Sequence, residues 1–487
     1  MRVPLGAWAP DQVGLGVESL DEALNVLPRA DGYDAFPDVQ VIGSSVTASA
    51  MLTGYSTRDL TGNGYTFAAS NDHIYRQSAT GTWEAVNRTA SYGSGVMRLT
   101  TYGNAVLGVN GVDAMQVYTL GTSTQFRDQS ASASAPIAAH ICTVRDFVFT
   151  GREPSALNRV RWCQIDNPLR WGRSQAFQSD LQDCPGDGGN IVGMTGGDFC
   201  VVLTDRSLHR FSYIGAPYVF RRDELAPNTG CIASGSIARY QALTFFLSGN
   251  GFMVFDGNQA YSIGNEFIDD WFFDNADAGY YDRMSAAIDP NRKLYFVSFT
   301  STNATGGTPD RILVYNFESK RWTNATQVLD VLFSGISRGA YTLEQLDAFG
   351  TMDTLPYSLD SDQWGGSKQN VLAGFDSGHR LVTFDATTFK TATLITGNAQ
   401  FNQDQRSWIT ELRPLVDGSS STAITAMIGG RDRLIDTATF TGAVSMNALG
   451  TIPFRSNYRY QKLRLDITGG FERAFGIDVR LKKIGRR

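Results

Sequence analysis

The sequence predicts an all-β protein whose centre is an irregular β-propeller of about seven blades, and three observations lead there. Glycine supplies 50 of 487 residues, above the usual ~7%. The 29 Phe, 19 Tyr and 8 Trp sit in short apolar runs between those glycines, as in many short strands joined by tight turns. A hairpin pattern then recurs about every 40 to 50 residues, the spacing of four-stranded blades. One such sheet cannot bury both of its faces alone, so neighbours must stack around an axis.

The copies run in order through residues 64–86, 104–120, 146–171, 199–213, 243–263, 293–322 and 370–385. Each alternates apolar and polar residues as half-buried strands do. Asn71-Asp, Asp205-Arg-Ser, Gly249-Asn-Gly and Asp376-Ser-Gly supply the positive-φ or side-chain-bonded residues that tight hairpins need. Six or eight blades stay open, because residues 46–63 could form a closing strand and 330–370 are irregular. The propeller is therefore placed at 47–390. Phe267, Ile268, Trp271 and Phe272 share one helical face, so a short helical insertion is expected near 265–284.

Two flanks differ from this rhythm. Residues 1–46 are interrupted by Pro4, Pro10, Pro28 and Pro37 and read as an extended arm without a core of its own. Such an arm would pack along the main domain or reach a neighbouring subunit. Residues 391–487 carry longer alternating strands and read as a β-sandwich-like domain.

Charge is distributed unevenly. The formal net charge is −6, yet from Arg455 to Arg487 ten Lys/Arg face three Asp/Glu, so this end is strongly basic and the body acidic. A basic surface suits nucleic acid or an acidic protein partner, whereas the acidic body repels DNA. The strand from Arg459 to Asp466 is read with Leu463, Leu465 and Ile467 on one face and with Arg459, Lys462 and Arg464 outward. With Arg480, Lys482 and Lys483 of the last strand they are the candidates for docking a partner. At 18% charged and 42% hydrophobic residues the chain is neither disordered nor membrane-like. No run of 18 apolar residues predicts a membrane span, and no apolar h-region predicts a secretory signal. The three sequons at Asn87, Asn303 and Asn324 are then read as chance matches.

Catalytic motifs are sparse. The five cysteines form no CxxC pair and read as small buried hydrophobes. His73, His140, His209 and His379 are isolated and lack metal-ligand spacing. No nucleophile elbow, Walker loop or dinucleotide-binding glycine motif is present. Asp269, Asp270, Asp274 and Asp277 invite a calcium or glycosidase reading, but they do not match a calcium loop and read as solvated acids around an aromatic helix. Trp83 and Trp322 are expected to plug blades against their neighbours. The signatures of the WD40 and kelch propeller classes are missing.

The extended proline-rich start is followed by Arg161-Trp-Cys-Gln-Ile-Asp-Asn-Pro-Leu-Arg-Trp and by Leu203-Thr-Asp-Arg-Ser-Leu-His-Arg-Phe. Phe246-Leu-Ser-Gly-Asn-Gly-Phe-Met-Val-Phe-Asp-Gly comes next, then Tyr458-Arg-Tyr-Gln-Lys-Leu-Arg-Leu and Gly476-Ile-Asp-Val. In order and length this resembles the tail hub, or nozzle, proteins of short-tailed bacteriophages, also called packaged-DNA-stabilisation proteins. The resemblance implies a virion structural protein of the tail, assembled in the host cytoplasm, with no catalytic role, cofactor, metal or small-molecule substrate. It implies a ring, usually of six subunits, that extends the DNA channel below portal and adaptor, retains packaged DNA and gates its ejection. The implied partners are other copies of the chain, portal and adaptor, tail fibre, spike or needle proteins, and double-stranded DNA in transit. Competing readings are a propeller glycosidase or depolymerase, which needs acids converging at one mouth of the axis, and a propeller adhesin for a host surface.

Overall fold

The computed structural model describes residues 1–12, 19–47, 49–78, 81–130, 133–336, 351, 353, 370–402, 405–419 and 421–483. Seven four-stranded antiparallel blades surround one axis. Their innermost strands are Thr53–Arg58, Arg98–Tyr102, His140–Val144, Ile191–Thr195, Ala238–Tyr240, Ser285–Asp289 and Leu329–Ile336, for blades one to seven in that order. The hairpins visible in the sequence are the middle strands of these blades. Gly251 shows how tightly one hairpin is built. It holds φ at +111°, and a Cβ there would meet the Asp269 carboxylate at 2.0 Å, so only glycine fits.

The seventh blade is closed by an unexpected strand. Its outermost strand is Gln40–Ser45, paired with Arg380–Thr383 through Ile42 opposite Leu381 and Val41 opposite Val382. The stretch 46–63 is therefore not the closing strand: it leads into Thr53–Arg58, the innermost strand of blade one. Fastening the last blade with an N-terminal strand makes the ring close only when distant parts of the chain meet. The propeller accordingly begins before residue 47, inside the segment assigned to the arm.

The rest of that segment is not a free arm either. Arg2–Pro4 pairs with Phe471–Lys483, and Val26–Arg29 and Gly32–Ala35 extend the same sheet beyond it. This sheet, with Ser407–Gly418 and Ile452–Tyr458, faces a second one made of Ser19–Leu24, Ala392–Thr396, Tyr460–Thr468 and Ala423–Arg431. Together they form the C-terminal β-sandwich. The prolines that interrupt any local periodicity leave these N-terminal strands without a signal of their own, and their partners lie hundreds of residues away. They draw their core from the C-terminal end: Val3, Leu20, Val26 and Tyr33 join Ile409, Leu463, Leu465, Ile467 and Ile477 in one buried cluster. Each such Leu or Ile contributes about 1.5–3 kcal/mol of burial free energy.

Propeller and sandwich share a sheet. Ser19–Leu24 lies between Ala392–Thr396 and Arg321–Thr326, the outermost strand of blade six, where Leu24 registers with Asn324. The result is an 11-stranded sheet that runs from the propeller axis into the sandwich. Asn324 is fully buried at this joint and donates to Glu22 Oε1 at 3.0 Å, so its sequon is closed to any modifying enzyme in the folded chain. The insertion near 265–284 forms the helix Asp269–Asn275 and a 3-10 turn, Ala278–Arg283. Ile268 and Phe272 are buried against blade five, and Asp11 accepts from the Asp270 and Trp271 N–H groups at the helix start.

Candidate functional site

The predicted docking residues divide in two. In Tyr460–Thr468 burial alternates as expected, with Leu463, Leu465 and Ile467 inward. The outward side is not free for a partner, however, because Ser19–Leu24 lies on the same sheet and supplies acids to it. Lys462 Nζ pairs with Asp21, and Arg464 Nε donates to both oxygens of Asp466 at 3.1 and 2.9 Å. Arg459 rests over the Tyr460 ring at 5.6 Å, and its backbone N–H donates to Asp432. These three therefore serve internal contacts of the sandwich. Arg480 is 75% exposed with Glu411 at 3.6 Å, and Lys482 is exposed on the same terminal strand, Phe471–Lys483. Lys483 ends that strand, and its side chain lies outside the described residues.

The sequence-level acids are used structurally. Asp269 is buried, its Oδ1 accepts from the Phe252 N–H at 3.0 Å, and burial pushes its pKa up to about 6. Asp277 accepts from Gly279 N–H at the start of its turn. Among the described residues no three His, Cys, Asp or Glu side chains gather as metal ligands. All five cysteines are buried and unbridged, and burial pushes the Cys163, Cys184 and Cys231 thiols up to about 12. Trp83 packs on Phe375 of blade seven at 5.5 Å and Trp322 on Phe252 of blade five at 5.1 Å, so both tryptophans join neighbouring blades.

The histidines stay apart. His73 lies beside Asp72 at 3.0 Å, His209 Nε2 meets Ser207 Oγ at 2.9 Å, and His379 Nδ1 meets Asp330 Oδ2 at 2.5 Å. His140 differs. It lines the propeller axis, a channel of about 300 Å³ bounded by the innermost strands of all seven blades. Arg98 lines the same channel from blade two and donates to Ser234 Oγ at 2.8 Å. Two carboxylates also line it. Asp282 is exposed at a mouth, and Asp330 is engaged by His379 and by the Met51 N–H at 3.1 Å. Arg239 and Arg283 also line it, and Arg239 donates to the carbonyls of Gly196, Phe199 and Gln241.

From the sequence alone Arg98 is not singled out and His140 reads as isolated, while the fold brings both to the channel. Nothing local marks either one: each stands at the start of an inner strand, and only closure of the ring brings the strands together.

No family model matches the chain, and no curated protein matches it. Similar solved structures include a chain of the mitotic checkpoint complex, at 10% identity over 72% of this chain and 92% of that one, with a TM-score of 0.40. The Pan2 WD40 domain of Neurospora crassa is similar over 73% and 96%, at 8% identity and a TM-score of 0.38. The extracellular domain of a one-component system from B. thetaiotaomicron is similar over 84% of this chain at 10% identity and a TM-score of 0.42, and this chain spans 46% of it.

Proposed function

We propose that this chain is a structural subunit of the tail hub, or nozzle, ring of a short-tailed bacteriophage. Six copies would form a closed ring below portal and adaptor, with the DNA conduit between subunits and not down any propeller's own axis. The observation that carries the proposal is the 11-stranded sheet running without interruption from blade six into the sandwich. Both ends of the described chain reinforce it, with the Met1 amine donating to Val479 O at 2.8 Å and Arg2 pairing with Asp478 at 2.9 Å. A wall element under pressure from packed DNA needs its domains coupled without a hinge, and a shared sheet does this. The acidic body suits a conduit, since Lys and Arg contacts to phosphates are what make DNA adhere. Exposed Arg480 and Lys482 leave a basic edge for an acidic neighbouring ring.

Negative-stain microscopy of the purified protein, alone and with portal and adaptor, tests the proposal. Six-fold rings are expected. A chain that stays monomeric in both preparations, or one that degrades a bacterial glycan, would overturn it.

A further inference from the structure

We propose that the axial channel of the propeller binds a small oxyanion, a phosphate or carboxylate group, beside Arg98, Arg152 and His140. The site arises where Arg98 and His140, which both line the channel, meet the charge of Arg152, which bears on both. Arg98 and His140 begin the innermost strands of blades two and three. Arg152 stands at the bulge of Phe147–Glu153, next to Gly151, which pairs with His140. The bulge holds Arg152 at φ +62°, a conformation costly for a residue with a side chain.

The case rests on cations that no carboxylate engages, since Asp330 of the same channel is taken by His379 and the Met51 N–H. Among the described residues neither Arg98 nor Arg152 has a carboxylate partner. The nearest acid in sequence, Glu153, is held by Arg161 at 2.9 Å on the other side of the strand. The Ser234 hydroxyl is the hydrogen-bond partner of Arg98, and the charge it feels most is another cation, Arg152. Burial and that repulsion bring the Arg98 pKa down to about 10. His140 is 5% exposed, its Nε2 has no hydrogen-bond partner, and burial with the two guanidinium groups pushes its pKa well below the usual histidine value. Arg98 and Arg152 are half-buried, and a partly desolvated cation without a counter-charge is destabilising, so a native fold keeps such a group where something else satisfies it. An oxyanion does so: guanidinium N–H groups present a fork that matches phosphate and carboxylate oxygens, and a neutral imidazole donates one further N–H. The neighbouring Ser234 hydroxyl completes a donor-rich lining, and 300 Å³ admits a small anion but no macromolecule.

The test uses the full chain in chloride buffer, titrated with inorganic phosphate and, in parallel, with malonate at matched ionic strength. Calorimetry and thermal unfolding are read together. At least one anion is expected to bind saturably and to raise Tm, and which of them does so identifies the oxyanion class. Arg98→Met should weaken that binding at least ten-fold and remove the Tm shift, while its own Tm in chloride is unchanged or higher. Arg221→Met, a substitution on the outer strand of blade four, should respond like the wild type. If Arg98→Met does not fold, His140→Gln provides the same comparison. Tm shifts that do not saturate, or that persist equally in the channel variants, would be general salt effects and would overturn the proposal. The site lies within one propeller, so a failure to form rings leaves it standing, and its failure leaves the hub reading untouched.

Discussion

The joint between propeller and sandwich and the propeller's own axis handle buried polarity in opposite ways. At the joint the polar side chains that bridge propeller and sandwich are paired with one another. Asn324 is bonded to Glu22, Asn25 Oδ1 accepts from the Thr326 N–H at 2.9 Å, and Lys462 meets Asp21. At the axis Arg98 and His140 line the channel with Arg152 acting electrostatically on both, and no carboxylate pairs with either guanidinium among the described residues. A joint that must hold one geometry gains from complete pairing, because each unsatisfied group there would favour opening. A channel left charged and open instead retains binding capacity for something that is not part of the chain.

The largest way to break this contrast is to remove apolar support from behind the outermost strand of blade six, which forms the propeller side of the joint. Trp322 is 1% exposed, packs on Tyr315 at 4.6 Å as well as Phe252, and donates to Ile263 O at 2.8 Å. Trp322→Ala should cost about 3–5 kcal/mol, read as a lower urea midpoint. A loss below about 1 kcal/mol would mean that the joint does not depend on its packing.

A smaller effect of opposite sign is expected at Asp269, whose Oδ2 is buried without a partner. Its pKa rises from 3.8 to about 6 on folding, so the folded state holds the proton more tightly. The stabilisation from that proton is fully present below the unfolded value and is lost as pH rises through about 6. Asp269→Asn keeps an acceptor for Phe252 N–H and should stabilise the protein by about 1–2 kcal/mol at pH 7.5. The gain should vanish near pH 4. An equal gain at both pH values would show that the unpaired carboxylate is not its cause.

How much of this was legible follows from where each signal sits. The middle blade strands, such as Leu243–Ser248 and Leu294–Phe299, are almost wholly buried and apolar, so they announce themselves. Inner strands such as Thr53–Arg58 and Ser285–Asp289 are of similar length but carry mostly small or polar residues, and pass for loops. The C-terminal strands were readable from two-residue alternation alone, as in Tyr460–Thr468. The N-terminal strands were not, because the pairings of Arg2 with Asp478 and of Ile42 with Leu381 leave no local trace. For the same reason Lys462 and Arg464 looked outward and available. Strand period gives the face of a residue, but not which distant strand arrives beside it. Arg98 and His140 are the converse: ordinary residues in sequence that become unusual only when the ring closes.

The smallest effect sharpens the division among the docking candidates. Lys462 is mostly covered and paired with Asp21, so Lys462→Met leaves a partly buried carboxylate without its cation and should cost about 1 kcal/mol or somewhat more. Arg480 is far more exposed and its contact with Glu411 is long, so Arg480→Met combined with Lys482→Met should change stability by less than about 0.5 kcal/mol. Under the hub reading the same double variant should bind an acidic neighbouring ring more weakly, with most of the loss in association rate at low salt. Lys462→Met should leave that rate unchanged. Paired urea melts and association kinetics on the two variants separate the roles: a double variant that unfolds early but docks normally would reverse the assignment, making Arg480 and Lys482 structural and returning the docking surface to another face.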